Sequence, residues 1–309
     1  MTRPIDPNDF LFRLEQLQVW RRGGERAPHK PLVLLFALAR IERGERRLVP
    51  FREAAEPLDR LLEEFGPPRK QHHPEYPFWR LERDGIWQVA WPPPLQLRER
   101  RTVDPSRSQL MKEGVEAGFT PEIHALLESN ARLRRQAVTL LLEQNFPSSL
   151  HDEILTAVGI DPGWETVERR VRDPAFREKI LIAWEYRCGV CRFDLRLGTV
   201  PMALDAAHIR WKQVGGPDEE SNGIALCAMH HRLFDRGAFT LASDSAAPDE
   251  EPVHVVVSQR AVGGNALQDW LLSFHGRPLE GPQQPDQRPA EQHLTWHRRE
   301  VFRGPERRV

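Results

Sequence analysis

Apolar positions recur at helical spacing through most of the first 160 residues. The pattern predicts helices at 5–22, 32–41, 51–65, 121–127, 133–144 and 150–158. Pro57 lies inside the third of these and indicates a kink or a split. Two apolar and aromatic runs, 76–81 and 86–89, flank an Asp-Gly pair and predict a small β-hairpin.

The second half of the chain has a different pattern of shorter segments. One helix is expected at 173–186, a strand at 204–209, a hairpin from 239–241 and 253–257, and a short helix at 267–274. The change in pattern predicts two domains, 1–160 and 177–309, with a linker at 161–176.

Charge and length exclude several classes of protein. The 309 residues carry 44 Lys and Arg against 45 Asp and Glu, so the chain is not a histone-like basic protein, although a basic face remains compatible. The longest apolar stretch, 31–39, is far below the ~20 residues that a membrane helix needs. No apolar run of the secretory type follows the first residues. We expect a soluble, cytoplasmic protein with no membrane partner.

The three cysteines indicate a metal site. All lie between 188 and 227, and an odd number of thiols argues against a disulfide framework. Cys188 and Cys191 form a Cys-x-x-Cys pair, and Cys227 and His230 repeat the spacing. Four such ligands suit a tetrahedral zinc with no open position, which is structural. The alternative is three incidental buried thiols.

Three further polar residues surround this cluster: His208 on the predicted strand, then Asn222 and His231. Together with the cluster they resemble the HNH (ββα-metal) nucleases over about 177–241. The resemblance implies that His208 activates water as general base and that Asn222 holds the loop and orients that base. It also implies that His231 binds one divalent metal at the scissile phosphate. Phosphodiester hydrolysis needs such a base and a cation, and Mg²⁺ or Mn²⁺ keeps several waters, so few protein ligands suffice.

One position departs from this resemblance. Many HNH sites have Asp or His directly before the general base as a second metal ligand, whereas this chain has Ala207. Asp235 could replace it, because it lies four residues after the metal-binding histidine and shares its helix face. Asp205, at the start of the strand, is the second candidate, and Asp235 is preferred. The alternative for Asp235 is a solvated ion pair with a neighbouring arginine.

The N-terminal half resembles a second family. The runs 26–32 and 76–79, the junction 146–147 and the closing segment 296–302 resemble phosphorothioate-dependent, type IV-like restriction endonucleases with a sulfur-binding domain. With the HNH segment, the resemblance implies an α+β protein. Its mostly helical DNA-recognition domain (1–160), with a small hairpin, precedes an HNH endodeoxyribonuclease domain with a structural zinc and a C-terminal extension (177–309).

The resemblance places sulfur recognition in the first domain. Sulfur is larger, softer and a poorer hydrogen-bond acceptor than the phosphate oxygen it replaces, so an apolar shelf with cations nearby suits it. The expected shelf is Tyr76, Pro77 and Phe78. The expected contacts to the DNA backbone and bases are Arg26, His29, Lys30 and Arg107. Solvated loop residues and plain core aromatics are the alternatives, and the arginine of 98–107 that faces DNA stays open.

The expected partner is double-stranded DNA carrying phosphorothioate, and a pair of cuts on opposite strands favours a homodimer. Two other functions remain open. A nuclease dependent on methylated or hydroxymethylated cytosine would need a pocket for a flipped base. A zinc-containing DNA-binding protein with a decayed HNH centre is the other alternative, and Ala207 is the observation in its favour.

Overall fold

The computed structural model describes residues 5–17, 25, 27–91, 105–161, 174–243 and 252–308. The chain divides into two compact units, Met1–Arg169 (unit 1) and Arg170–Val309 (unit 2). Most of the expected linker lies outside the described residues, and so do residues 244–251, between the two strands expected at 239–241 and 253–257. Among the described helices, none has the length and apolar character of a membrane span.

Unit 1 is a set of helices beside a small sheet. Its helices are α1 Pro7–Glu15, α2 His29–Glu42, α3 Phe51–Phe65, α4 Glu75–Arg80, α5 Arg107–Lys112, α6 Pro121–Ser129, α7 Ala131–Asn145 and α8 His151–Val158. Its strands are β1 Val49–Pro50, β2 Trp87–Ala90 and β3 Glu116–Phe119. Helix α2 is buried along 31–39, and α3, α4, α6, α7 and α8 all pack against it.

Helix α3 continues through its interior proline without a break. Pro57 is only half-buried, so solvent can reach the carbonyl that its missing N–H leaves without an intrahelical partner. The apolar face of the helix points inward, with Leu58, Leu61 and Phe65 in the core. The split considered from the sequence is therefore absent.

The predicted hairpin at 76–89 is wrong. Residues 75–80 form α4, a 3₁₀ turn follows at Leu81–Asp84, and Gly85 takes a left-handed conformation with φ of +70°. Strand β2 pairs instead with β3, which lies between β1 and β2 in an antiparallel sheet. Pro77 is the third residue of α4. The first backbone N–H groups of a helix have no intrahelical acceptor, so the missing N–H of Pro77 costs the helix no hydrogen bond.

Unit 2 contains the ββα order that the HNH resemblance implies. Its helices are α9 Pro174–Ala183, α10 Ala228–Asp235, α11 Asn265–Trp270 and α12 Glu291–Glu300. Its strands are β4 Arg196–Leu197, β5 Val200–Pro201, β6 Leu204–His208, β7 Gly223–Cys227, β8 Phe239–Ala242 and β9 His254–Val257. Strands β6 and β7 pair antiparallel, with His208 opposite Gly223, and α10 follows directly. Helix α9 packs on both strands and closes an apolar core.

Candidate active site and metal centre

The four predicted zinc ligands lie together in unit 2. One ligand atom from each of Cys188, Cys191, Cys227 and His230 falls within 4.8 Å of every other. The Cys227 Sγ lies 3.1 Å from His230 Nδ1, and the Cys191 and Cys227 sulfurs are 4.0 Å apart. A tetrahedral zinc with Zn–S bonds of about 2.3 Å holds its ligand atoms at similar separations. The group could therefore hold one metal ion.

The backbone fixes the turn that carries the first two thiols. Cys188 N donates to Phe193 O at 2.9 Å, and Gly189 N donates to Ala225 O on β7 at 2.8 Å. A Cβ at Gly189 would lie 2.6 Å from the Trp184 ring, so a larger residue would displace the turn from the core. The turn is thus attached to the strand that ends in the third thiol.

The chemistry of the donor set fits zinc. His230 Nε2 donates to Trp270 O at 2.9 Å, which leaves Nδ1 as the lone-pair donor on the thiol side. Hydrogen bonds from Cys191 and Cys227 lower the pKa of the Cys188 thiol. The thiolate, which is the form that binds a metal, is favoured there. Three sulfurs and one imidazole nitrogen, largely buried, suit a soft or borderline ion rather than Mg²⁺.

His208 stands at the end of β6 with its ring fixed on two sides. Its Nε2 donates to Asp218 Oδ1 at 2.8 Å, and Lys212 forms an ion pair with the same carboxylate. The Phe176 ring stacks on the imidazole, with centroids 4.0 Å apart and an angle of 14°. With the proton held on Nε2, Nδ1 carries the lone pair that a general base needs.

The protonation state of His208 suits that role. Burial lowers its pKa, and the hydrogen bond and charge of Asp218 oppose the shift without reversing it. The imidazole is therefore neutral at pH 7 and able to accept a proton. Sequence analysis missed Asp218, because an acidic residue in a polar loop has no distinguishing pattern.

Asn222 is fully buried and holds the loop between β6 and β7. Arg210 N donates to its Oδ1 at 2.8 Å, and its Nδ2 donates to Arg210 O at 3.0 Å and Pro217 O at 2.9 Å. Pro217 directly precedes the carboxylate that binds His208. Asn222 can therefore orient the base through the loop backbone.

The third histidine, His231, lies between the two candidate carboxylates. Its Nδ1 is 3.4 Å from Asp205 Oδ2, and its Nε2 is 3.2 Å from Asp235 Oδ2. Asp235 is buried, which argues against the solvated ion pair considered above. Burial by itself lowers the pKa of His231, but the charges of Asp235 and Asp205 outweigh it and raise the pKa to about 9. The three side chains form an acidic pocket suited to a divalent cation.

The surface of unit 1 presents an aromatic and basic cluster. Tyr76 is 37% exposed, and its ring stacks on the His73 ring, with centroids 5.1 Å apart. The Arg80 guanidinium lies over the Tyr76 ring, 4.6 Å from its centroid. Tyr76 and Arg80 are four apart on α4 and so share its outer face. Sequence analysis missed Arg80 because it assigned this segment to a strand.

Two residues of the expected sulfur-contacting shelf are not on the surface. Phe78 is 1% exposed and packs against the Phe51 and Trp87 rings. Pro77 is buried as well. The helix turns these two side chains inward, so their assignment to the shelf is wrong and only Tyr76 remains of it.

The predicted cations are differently placed. Lys30 Nζ forms a largely buried ion pair with Asp84 at 2.6 Å, so its charge serves the fold. Arg107 pairs with Asp59 and is half-exposed. His29 begins α2 and is partly buried. Arg26 lies outside the described residues.

Comparison with known protein families gives one match in each half of the chain. The sequence model of the family described as "ScoMcrA-like, DNA sulfur-binding domain" matches residues 7–162, just over half of the chain. The chain belongs to this family. A second model, of HNH endonucleases, matches residues 188–242, so the ScoMcrA-like domain is joined to an HNH endonuclease domain in one chain.

Several solved structures are similar to about half of the chain. The "Sulfur binding domain of SprMcrA complexed with phosphorothioated DNA" is 24% identical with a TM-score of 0.43, over 52% of this chain and 98% of that one. The corresponding ScoMcrA domain is 24% identical with a TM-score of 0.41, over 49% and 95%. The type IV phosphorothioation-dependent restriction endonuclease ScoMcrA is 22% identical with a TM-score of 0.40, over 55% of this chain and 32% of that one. No curated protein matches the chain.

Proposed function

We propose that this protein is a restriction endonuclease that binds phosphorothioated DNA through unit 1 and cuts DNA with unit 2. The observation that carries the proposal is the joining of a ScoMcrA-like sulfur-binding domain to an HNH domain in which His208 and His231 stand with fitting partners. The solved sulfur-binding domains of SprMcrA and ScoMcrA are complexed with phosphorothioated DNA, which supports the substrate class.

In the proposed nuclease centre each residue has a separate task. His208 removes a proton from the attacking water at Nδ1, while Asp218 keeps the other ring proton on Nε2. His231 and one of its carboxylate neighbours, Asp235 or Asp205, would hold Mg²⁺ or Mn²⁺, which supplies charge stabilisation at the scissile phosphate. The four ligands Cys188, Cys191, Cys227 and His230 would hold a structural zinc, which would fix the start of α10.

In the proposed recognition surface Tyr76 supplies the apolar contact. The exposed part of the Tyr76 side chain can meet the soft sulfur without offering a hydrogen bond that sulfur accepts poorly. Arg80 beside it can approach the charge that the modified phosphate retains. We place the protein in the cytoplasm, where this DNA would be met, and infer that two copies act together to cut both strands.

The test is cleavage of three matched duplexes: unmodified, phosphorothioated and 5-methylcytosine-containing. We expect metal-dependent cutting of the phosphorothioated duplex alone. Equal cutting of all three would leave a nuclease but refute sulfur recognition, and preference for methylated DNA would support the other modification-dependent function. Absence of cutting with Mg²⁺ and Mn²⁺ would support the decayed HNH centre.

A matched variant separates cutting from binding. His208→Ala should lower the cleavage rate by ~10²–10⁴-fold, as loss of a general base does, with unchanged affinity for phosphorothioated DNA. Lys179→Ala, an exposed residue on α9, is the control and should cut at the wild-type rate. A His208→Ala protein that still cuts at full rate would exclude His208 as the base.

A further inference from the structure

Helix α12 is buried to an unusual degree for so polar a sequence. The buried side chains are His293, Leu294, Trp296, His297 and Glu300. Burying imidazoles and a carboxylate costs free energy unless they find partners. The helix also lies well beyond the HNH segment at 188–242, so the family match assigns it no role.

One of these residues joins α12 to the metal-binding helix. His297 Nε2 donates to Phe234 O at 3.2 Å, and the Thr240 hydroxyl on β8 donates to His297 Nδ1 at 2.9 Å. The imidazole also stacks on the Phe234 ring, with centroids 3.7 Å apart and an angle of 4°. Phe234 lies on α10 between His231 and Asp235. A single imidazole thus ties α10 to β8.

A second contact reaches the loop after the general base. The Trp296 ring lies 6.0 Å from that of Trp211, which is three residues after His208 and almost fully buried. His293 faces the same loop: burial and the nearby charge of Arg210 lower its pKa. The side of α12 that carries these residues is therefore packed on the segment that holds the base in place.

A third contact reaches the loop that carries Asn222. Ala290 N, at the start of α12, donates to Ser221 O at 2.9 Å, and Ser221 directly precedes Asn222. The segments that carry His208, Asn222 and His231 are thus all in contact with one helix or its first turn.

We propose that α12 sets the distance between the general base and the metal-binding helix, with His297 as a positioning residue for His231 and Asp235. The inference rests on the proposed nuclease function. A displacement of about 1 Å between reacting groups can cost ~100-fold in rate, because catalysis depends on their alignment. Loosening α12 should therefore slow cutting and weaken metal use while DNA affinity, a property of unit 1, stays unchanged.

The first variant is His297→Phe, which keeps a ring on Phe234 and removes both hydrogen bonds. We expect an about tenfold lower single-turnover rate on phosphorothioated duplex and a higher Mg²⁺ or Mn²⁺ concentration for half-maximal rate, at unchanged DNA Kd. His297→Gln, which can both donate and accept, should recover part of the rate. Gln292→Ala, on the exposed side of α12, is the control and should match wild type.

The outcomes separate this inference from the function on which it rests. A folded, metal-loaded His297→Phe protein with wild-type rate and metal dependence would overturn it. Should that variant fail to fold, Ala290→Pro decides: φ is −75° there, so proline fits and removes only the N–H bound to Ser221. We expect an about threefold slower rate, and an unchanged rate would overturn the inference. A wild-type protein that cuts no DNA would refute both.

Discussion

Unit 1 and unit 2 differ in what they bury. Among the described residues, unit 1 buries few polar or charged side chains, among them Glu75 and Asp84, whereas unit 2 buries Asn222, His230, His231, Asp235 and several others. In unit 1 the core is apolar and the candidate contacts, Tyr76 and Arg80, lie outside it. In unit 2 several of the residues proposed to support the chemistry, Asn222, His231 and Asp235, are themselves part of the interior. Substitutions that disturb the interior of unit 2 should therefore reduce both its stability and DNA cutting. Substitutions at the candidate contacts of unit 1 should change DNA binding without unfolding the unit.

Removal of zinc should give the largest difference between the units. Structural zinc sites contribute about 10–16 kcal/mol of apparent binding free energy, which is comparable to or larger than the ~5–15 kcal/mol stability of a domain. Cys188→Ala, or treatment with a strong chelator, should unfold unit 2 and abolish cutting, with phosphorothioated-DNA binding by unit 1 retained. Zinc content, limited proteolysis and DNA affinity measured on one sample provide the check. Loss of DNA binding together with zinc would contradict the separation of the two units.

Replacing each carboxylate beside His231 should show which one shares the metal. We expect Asp235→Asn to lower the cleavage rate by ~100-fold and to raise the metal concentration needed, because its buried oxygen faces Nε2. Asp205→Asn, whose side chain is more exposed, should have the smaller effect. The reverse order, in metal titrations of both variants, would make Asp205 the second ligand.

Asp218→Asn should change the pH profile more than the fold. The carboxylate raises the pKa of His208, against the lowering caused by burial. Because the base must be neutral, activity falls as pH drops through this pKa, and removal of Asp218 should move that acidic limb to lower pH. The rate at pH 8 should fall ~10-fold, since the ring loses its fixed tautomer. Single-turnover rates from pH 5 to 9 would show this, and an unshifted limb would exclude Asp218 as the orienting group.

The smallest effect is expected at the unit 1 surface. Tyr76→Ala should reduce preference for phosphorothioated over unmodified duplex by ~10-fold, whereas Tyr76→Phe should keep it, because the ring and not the hydroxyl is proposed to meet sulfur. Arg80→Ala should weaken binding to both duplexes and reduce the steepness of log affinity against log salt concentration by about 1. Full discrimination in Tyr76→Ala would exclude this surface.

The sequence predicted most helices of the unit 1 core and the four residues that could hold one metal ion. Apolar spacing located α2, α3 and the later helices of unit 1, because their buried faces repeat with the helix turn. It failed at 76–81, where an aromatic run and a Pro resemble a strand edge while tertiary packing makes a helix. The order β1-β3-β2 was out of reach because it joins strands far apart in sequence.

The candidate site was predictable from the sequence only where its residues belong to a motif with a fixed local spacing. Cys-x-x-Cys and Cys-x-x-His are local patterns, and the structure brings all four residues within reach of one ion. Asp218 and His297 act through contacts across 10 and 63 residues, to His208 and to Phe234, which no local pattern encodes. The burial of Phe78 and the pairing of Lys30 with Asp84 likewise depend on the folded core.

The position of α12 in the chain has a consequence for how the enzyme is made. During synthesis the segment with His208, Asn222 and His231 leaves the ribosome tens of residues before Ala290 and His297 do. A nascent chain, or a fragment that stops before residue 290, would hold every HNH side chain and yet lack the contacts to Phe234 and Ser221. Such partial products should therefore cut DNA more slowly than the chain that has completed α12.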